Sequence, residues 1–119
     1  MKIGLVGFAG SGKTTVFNTM TGLNVPIGYG GDLRLGTVRV PDARIDTLSK
    51  IFAPKKTTYA EISFSDVPGE HGAEKKGLST KALQQIREQD ALCLVLRDFD
   101  NPAVDGDADP LRDLDAYHL

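Results

Sequence analysis

Ile3-Gly4-Leu5-Val6-Gly7-Phe8-Ala9-Gly10-Ser11-Gly12-Lys13-Thr14-Thr15 decides how the rest of the chain is read. Residues 7–14 fit G-x-x-x-x-G-K-[ST], and they stand where that pattern has physical meaning, between a short apolar strand and a helix. Glycines let the backbone curl so that successive N–H groups converge on an anion. The helix that opens at Lys13 adds the positive end of its dipole to the same point. Ala9, Gly10, Ser11, Gly12, Lys13, Thr14 and Thr15 are therefore the expected cradle for a nucleotide's phosphates. Lys13 is expected to reach the β- and γ-phosphates as a catalytic charge, and the Thr14 hydroxyl to ligate Mg2+. A Gly-rich turn arising by chance has no reason to fall between a strand and a helix.

Outward from this loop, Lys2–Val6 reads as a buried strand. Lys13–Thr21 reads as a helix with Val16, Phe17 and Met20 on one face and Gly22 as its stop. Residues 23–35 carry Gly28, Gly30 and Gly31 with little periodicity; in a nucleotide switch, the first switch loop belongs here, at about 24–36. Residues 35–40 alternate weakly, as a strand does. Pro41-Asp42 then supplies a stop and an N-cap, and Ile45, Leu48, Ile51 and Phe52 form a helical stripe expected to face the core.

Residues 58–65 alternate Ala60, Ile62 and Phe64 against polar neighbours, a strand pattern that runs into Asp66-Val67-Pro68-Gly69. Asp66 is expected to hold Mg2+ through a water, and Gly69 to bring its N–H to the γ-phosphate. By itself D-x-x-G also describes a type I or II turn; its weight comes from the partnership with residues 7–14. A second switch is expected at about 66–78. Next come a helix at 79–89, with Leu78, Ala82, Leu83 and Ile86 inward, and a buried parallel strand at 91–96. Asp109-Pro110 reads as an N-cap and first helical residue, with Leu111 and Leu114 inward.

A length of 119 residues makes one domain, able to bury about two-thirds of its unfolded surface. The net charge of −2 gives no basic footprint, so direct DNA binding is not expected. The N-terminal apolar run is too short for a leader, and no apolar stretch is long enough to span a membrane, so the cytoplasm is the expected location. The sole cysteine, Cys93, has no internal partner and reads as a buried core thiol. Five aspartates between 98 and 109 invite a calcium reading. It fails, because counting an EF-hand from Asp105 puts Pro110 at the turning glycine and Ala116 at the bidentate carboxylate.

Taken together, the chain resembles the YchF-type, Obg-related branch of the Ras-like GTPases. The matching residues are the phosphate loop, Val40-Pro41-Asp42-Ala43-Arg44-Ile45-Asp46-Thr47-Leu48, Pro54-Lys55-Lys56, Asp66-Val67-Pro68-Gly69, Ile86-Arg87-Glu88-Gln89-Asp90-Ala91 and Asp109-Pro110-Leu111-Arg112-Asp113. The resemblance implies a Ras-like three-layer α/β fold with a mostly parallel sheet, ending here after its fourth strand. It also implies Mg2+-dependent binding and hydrolysis of GTP or ATP, and ribosome association.

Several positions depart from the family pattern. Gly30 stands where members usually place the first-switch threonine, and Thr37 falls in the strand. Glu70 follows D-x-x-G, where the family has a hydrophobic residue and Ras-like enzymes a glutamine. It is a candidate to orient or deprotonate water, with a solvated switch carboxylate as the plain alternative and His71 as a second candidate. The base-reading N-x-x-E or N-K-x-D segment and further domains do not occur in residues 1–119, which read as the front of a G domain with its purine preference open. The sheet edge beside residues 91–96 is expected to associate, giving a homodimer or strand exchange. Two other functions compete: a nucleotide-binding regulatory module without turnover, and a small-metabolite kinase. The kinase suits residues 10–15 but leaves Asp66 to Gly69, and the matches at 87–91 and 109–113, unexplained.

Overall fold

A computed structural model of the chain describes residues 1–24, 34–67, 80–104 and 106–117. The elements run β1 (Lys2–Val6), α1 (Lys13–Thr21), β2 (Arg34–Arg39), α2 (Ala43–Phe52), β3 (Glu61–Asp66), α3 (Thr80–Arg87), β4 (Ala91–Leu94) and α4 (Pro110–Ala116). The strands form one sheet in the order β2-β3-β1-β4. β1 is parallel to both β3 and β4, and β2 is antiparallel to β3. This is a mostly parallel α/β sheet. β1 has β3 on one side and β4 on the other, so its carboxyl end lies between two parallel neighbours, where open α/β sheets bind ligands.

Alternation along β1 builds the core on both faces of the sheet. Leu5 packs with Phe17 of α1 and Phe64 of β3, all at 6% exposure or less, with Ile3, Val16, Val38 and Ile62 around them. The neighbouring Val6 points the other way, against Val67 and Ile86, with Leu94 and Tyr117 beside them. The layers are therefore α1, sheet, and α3 with Tyr117. Each large apolar side chain so buried contributes about 1.5–3 kcal/mol. No helix among the described residues is long and apolar enough to cross a membrane.

The helix starts follow from local chemistry. Asp42 accepts the Arg44 N–H at 2.9 Å and holds the same residue's guanidinium at 2.9 and 3.0 Å. Asp109 accepts the Arg112 N–H at 3.1 Å, with Pro110 as the first helical residue. Both caps stand where the sequence puts them.

The outer surfaces do not follow the sequence expectations. Leu48, Ile51 and Phe52 are 52%, 66% and 74% exposed, so most of the α2 stripe faces solvent rather than the core, and Ile45 alone of the four is half-buried. Leu111 and Leu114 of α4, Met20 and Leu83 are also substantially exposed. β4 stops at Leu94 and forms an edge of the described sheet, leaving Leu92 and Cys93 exposed rather than buried. An apolar run needs cover only if something lies above it. β3 begins at Glu61, three residues later than the alternation begins, because its antiparallel pairing with β2 starts at the Arg39–Glu61 position.

Candidate phosphate and metal site

Gly7, Gly10 and Gly12 adopt φ of +153°, +79° and +101°, so the loop at 7–14 turns through backbone conformations that side chains resist. Gly7 also has no room for one: a Cβ there would stand 2.5 Å from the Val95 carbonyl oxygen. The Ser11 N–H closes the turn on the Phe8 carbonyl at 3.2 Å. Gly12 caps α1 without any side-chain hydrogen bond, which leaves the first-turn N–H groups available to an anion. Inside the turn, the buried Ser11 hydroxyl has no hydrogen-bond partner among the described residues. An orphaned buried hydroxyl beside the uncapped first turn of α1 fits a phosphate oxygen.

Lys13 is only 6% exposed, and its ammonium donates to the Phe8 carbonyl at 3.0 Å. Burial pushes its pKa below the ordinary lysine value, against the opposing pull of the Asp66 charge. An ammonium has three donors, and a buried one needs more compensation than a single carbonyl gives. A polyanion would supply it.

The parallel register sets Leu5 beside Asp66, bringing the end of β3 to the end of β1 just where α1 begins. There the Thr14 hydroxyl donates to Asp66 Oδ2 at 2.8 Å, across 52 residues of sequence. Arg34, opposite Asp66 in the antiparallel register, places Nη1 4.0 Å from the same oxygen. Lys13, Arg34 and Asp66 together leave one positive charge at the site. A hydroxyl and a carboxylate are hard oxygen donors of the kind that Mg2+ takes alongside phosphates and waters. The residues present therefore fit both halves of a metal–phosphate site.

Of the sequence-predicted residues, Ala9, Gly10, Ser11, Gly12, Lys13 and Thr14 form the loop and the start of α1, and Asp66 joins them. Thr15 lies exposed on the first turn of α1, its carbonyl accepting the Thr19 hydroxyl at 2.8 Å. Gly69 and Glu70, like His71 and Gly30, lie outside the described residues.

Several neighbours escape sequence patterns altogether. Arg34 is one. The Asn101 amide donates to the Gly10 carbonyl at 3.2 Å, and the Phe99 ring lies 3.6 Å from where a Gly12 Cβ would be. Arg97, 4% exposed, donates to the carbonyls of Phe99, Gly106 and Asp107 and so shapes this segment against the loop. Phe8 meets Tyr117 edge to face, with ring centroids 5.4 Å apart. A buried arginine among backbone carbonyls has no periodic signature, and the contacts of Asn101 with Gly10, Phe99 with Gly12 and Tyr117 with Phe8 are distant in sequence.

Comparison with known proteins agrees with this geometry. A family model described as 50S ribosome-binding GTPase matches residues 2–118. The Ribosome-binding ATPase YchF of Bacillus subtilis is 39% identical over 98% of this chain and 34% of its own length. The Haemophilus influenzae protein of the same name is 37% identical over 98% of this chain and 35% of its own length. The Obg-like ATPase 1 of Oryza sativa subsp. indica is 36% identical over 97% and 32%. The solved structure of the Schizosaccharomyces pombe YchF GTPase superposes with a TM-score of 0.70 at 32% identity, covering 97% of this chain and 33% of that one. The chain thus spans about a third of the length of these relatives. With a family model matching residues 2–118, the chain belongs to the 50S ribosome-binding GTPase family.

Proposed function

We propose that this chain carries the phosphate and metal site of a YchF-type NTPase that binds GTP or ATP with Mg2+, hydrolyses it, and acts in the cytoplasm as a ribosome-associated switch. The observation that carries the proposal is the 2.8 Å hydrogen bond from Thr14 to Asp66, which joins the phosphate loop to the D-x-x-G segment. Phosphoryl transfer asks mainly for positioning and charge neutralisation. The first-turn amides of α1 and the Ser11 hydroxyl orient phosphate oxygens. Lys13 spends one N–H on Phe8 and offers its remaining charge to the β- and γ-phosphates. Thr14 and Asp66 are the residues that would hold the metal. A bound Mg2+ ion would neutralise charge that develops on the phosphate oxygens. Gly69 is assigned the N–H that meets the γ-phosphate, and Glu70 the carboxylate that orients the attacking water.

Calorimetry with GTP and with ATP, each with and without Mg2+, tests this reading. Heat with at least one purine triphosphate, lost in Lys13→Ala, is the expected result; silence from both on folded protein removes the proposal. Single-turnover phosphate release then separates hydrolysis from binding. Glu70→Ala is expected to slow it, and an unchanged rate takes Glu70 out of the chemistry. One feature favours a second reading, nucleotide binding without turnover: Gly30 stands where the family pattern expects the first-switch threonine. Heat of binding with no phosphate release would select it. Co-sedimentation with ribosomes, compared between nucleotide-free and nucleotide-loaded protein, tests the partner.

A further inference from the structure

Arg34 opens β2 directly across from Asp66, and its Nη1 lies 4.0 Å from the Oδ2 that also accepts the Thr14 hydroxyl. The two side chains differ in exposure: 6% for Asp66 and 32% for Arg34. A carboxylate buried to that degree is costly without a cation near it. The Lys13 ammonium is already directed at the Phe8 carbonyl. Arg34 is therefore the more exposed half of the pair, a long side chain with a third of its surface in water.

We propose that Arg34 is a built-in counter-cation for Asp66 that competes with Mg2+, so that it sets how much Mg2+ nucleotide binding requires. The inference rests on the nucleotide-binding function proposed above. In the metal-free protein, the guanidinium compensates the carboxylate. With a metal bound, Asp66 and Thr14 would be its ligands and Arg34 would give up that position. Removing the guanidinium leaves Asp66 with the Lys13 charge and the Thr14 hydroxyl as its remaining described partners, and lowers the concentration at which the metal binds.

The test uses the full chain as wild type, Arg34→Gln and Arg34→Lys, with two separate readouts. In the first, Mg2+ alone is titrated without nucleotide while the amide NMR signals of Thr14 and Asp66 are followed. In the second, the affinity for a fluorescent purine triphosphate is measured across Mg2+ concentrations. Arg34→Gln is expected to lower the Mg2+ midpoint about fivefold in both, the coupling of a partly exposed charge pair, and Arg34→Lys to stay within about twofold of wild type. In an Asp66→Asn background the effect of Arg34→Gln should vanish, because the shared partner is gone. An unchanged midpoint in Arg34→Gln overturns the proposal. So does an equal loss of nucleotide affinity with and without Mg2+, which would make Arg34 a phosphate contact instead. If no variant binds nucleotide, the proposed function fails while the first readout still decides the role of Arg34.

Discussion

Lys13 is held as a cation in a place that disfavours cations. Its pKa in the folded protein lies below the unfolded value, so the unfolded chain binds more protons and stability rises with pH through that interval. The cost of the buried charge is fully present below the folded pKa and relieved as pH climbs past it toward the ordinary lysine value. Lys13→Met is therefore expected to raise the melting temperature of the nucleotide-free protein by a few degrees, as about 1 kcal/mol does in a domain of this size. The same change should abolish the rise in melting temperature that nucleotide gives wild type. A lower melting temperature without nucleotide would show that the ammonium supports the fold. Gly7 is the other extreme, where any side chain fails. With φ at +153° and the Val95 carbonyl 2.5 Å from a would-be Cβ, Gly7→Ala should cost about 2 kcal/mol or more in urea unfolding. Both residues were legible because the chemistry dictates residue type at fixed spacing. Arg34 was not, since its place at Asp66 depends on an antiparallel register that no local pattern encodes.

Elements were legible where their ends are set by local groups, and illegible where their faces depend on distant cover. Pro41-Asp42 and Asp109-Pro110 predict the starts of α2 and α4 because a carboxylate and a ring act on adjacent N–H groups. The stripe Leu48, Ile51 and Phe52 predicts burial, and the structure exposes it, since no described element packs closely over α2. A helix with so little tertiary support depends on its cap. Asp42 is held below the usual carboxylate range by the Arg44 side chain and N–H groups. Its capping is therefore complete above the ordinary aspartate pKa and fades as pH falls through the lowered one. Asp42→Ala should speed amide exchange at residues 43–46 while leaving the melting temperature close to wild type. A cooperative loss of the whole fold would mean that α2 is packed in solution.

At the scale of the molecule, α2, β4 and α4 carry exposed apolar side chains, and the two edges of the described sheet are not equivalent. β2 carries Arg34 and Arg39, charges of the kind that discourage strand addition. β4 reads Ala-Leu-Cys-Leu, without a charge, and no described strand lies beyond it. Self-association is therefore expected at β4 rather than β2. Under reducing conditions, which exclude a Cys93 crosslink, the sedimentation coefficient of wild type should rise with concentration. A Cys93→Lys variant, which puts a gatekeeping charge on that edge, should sediment at a constant monomer value. Constancy in the wild type would mean that the uncharged edge is covered some other way, and a rise in both proteins would move the contact to the exposed faces of α2 and α4.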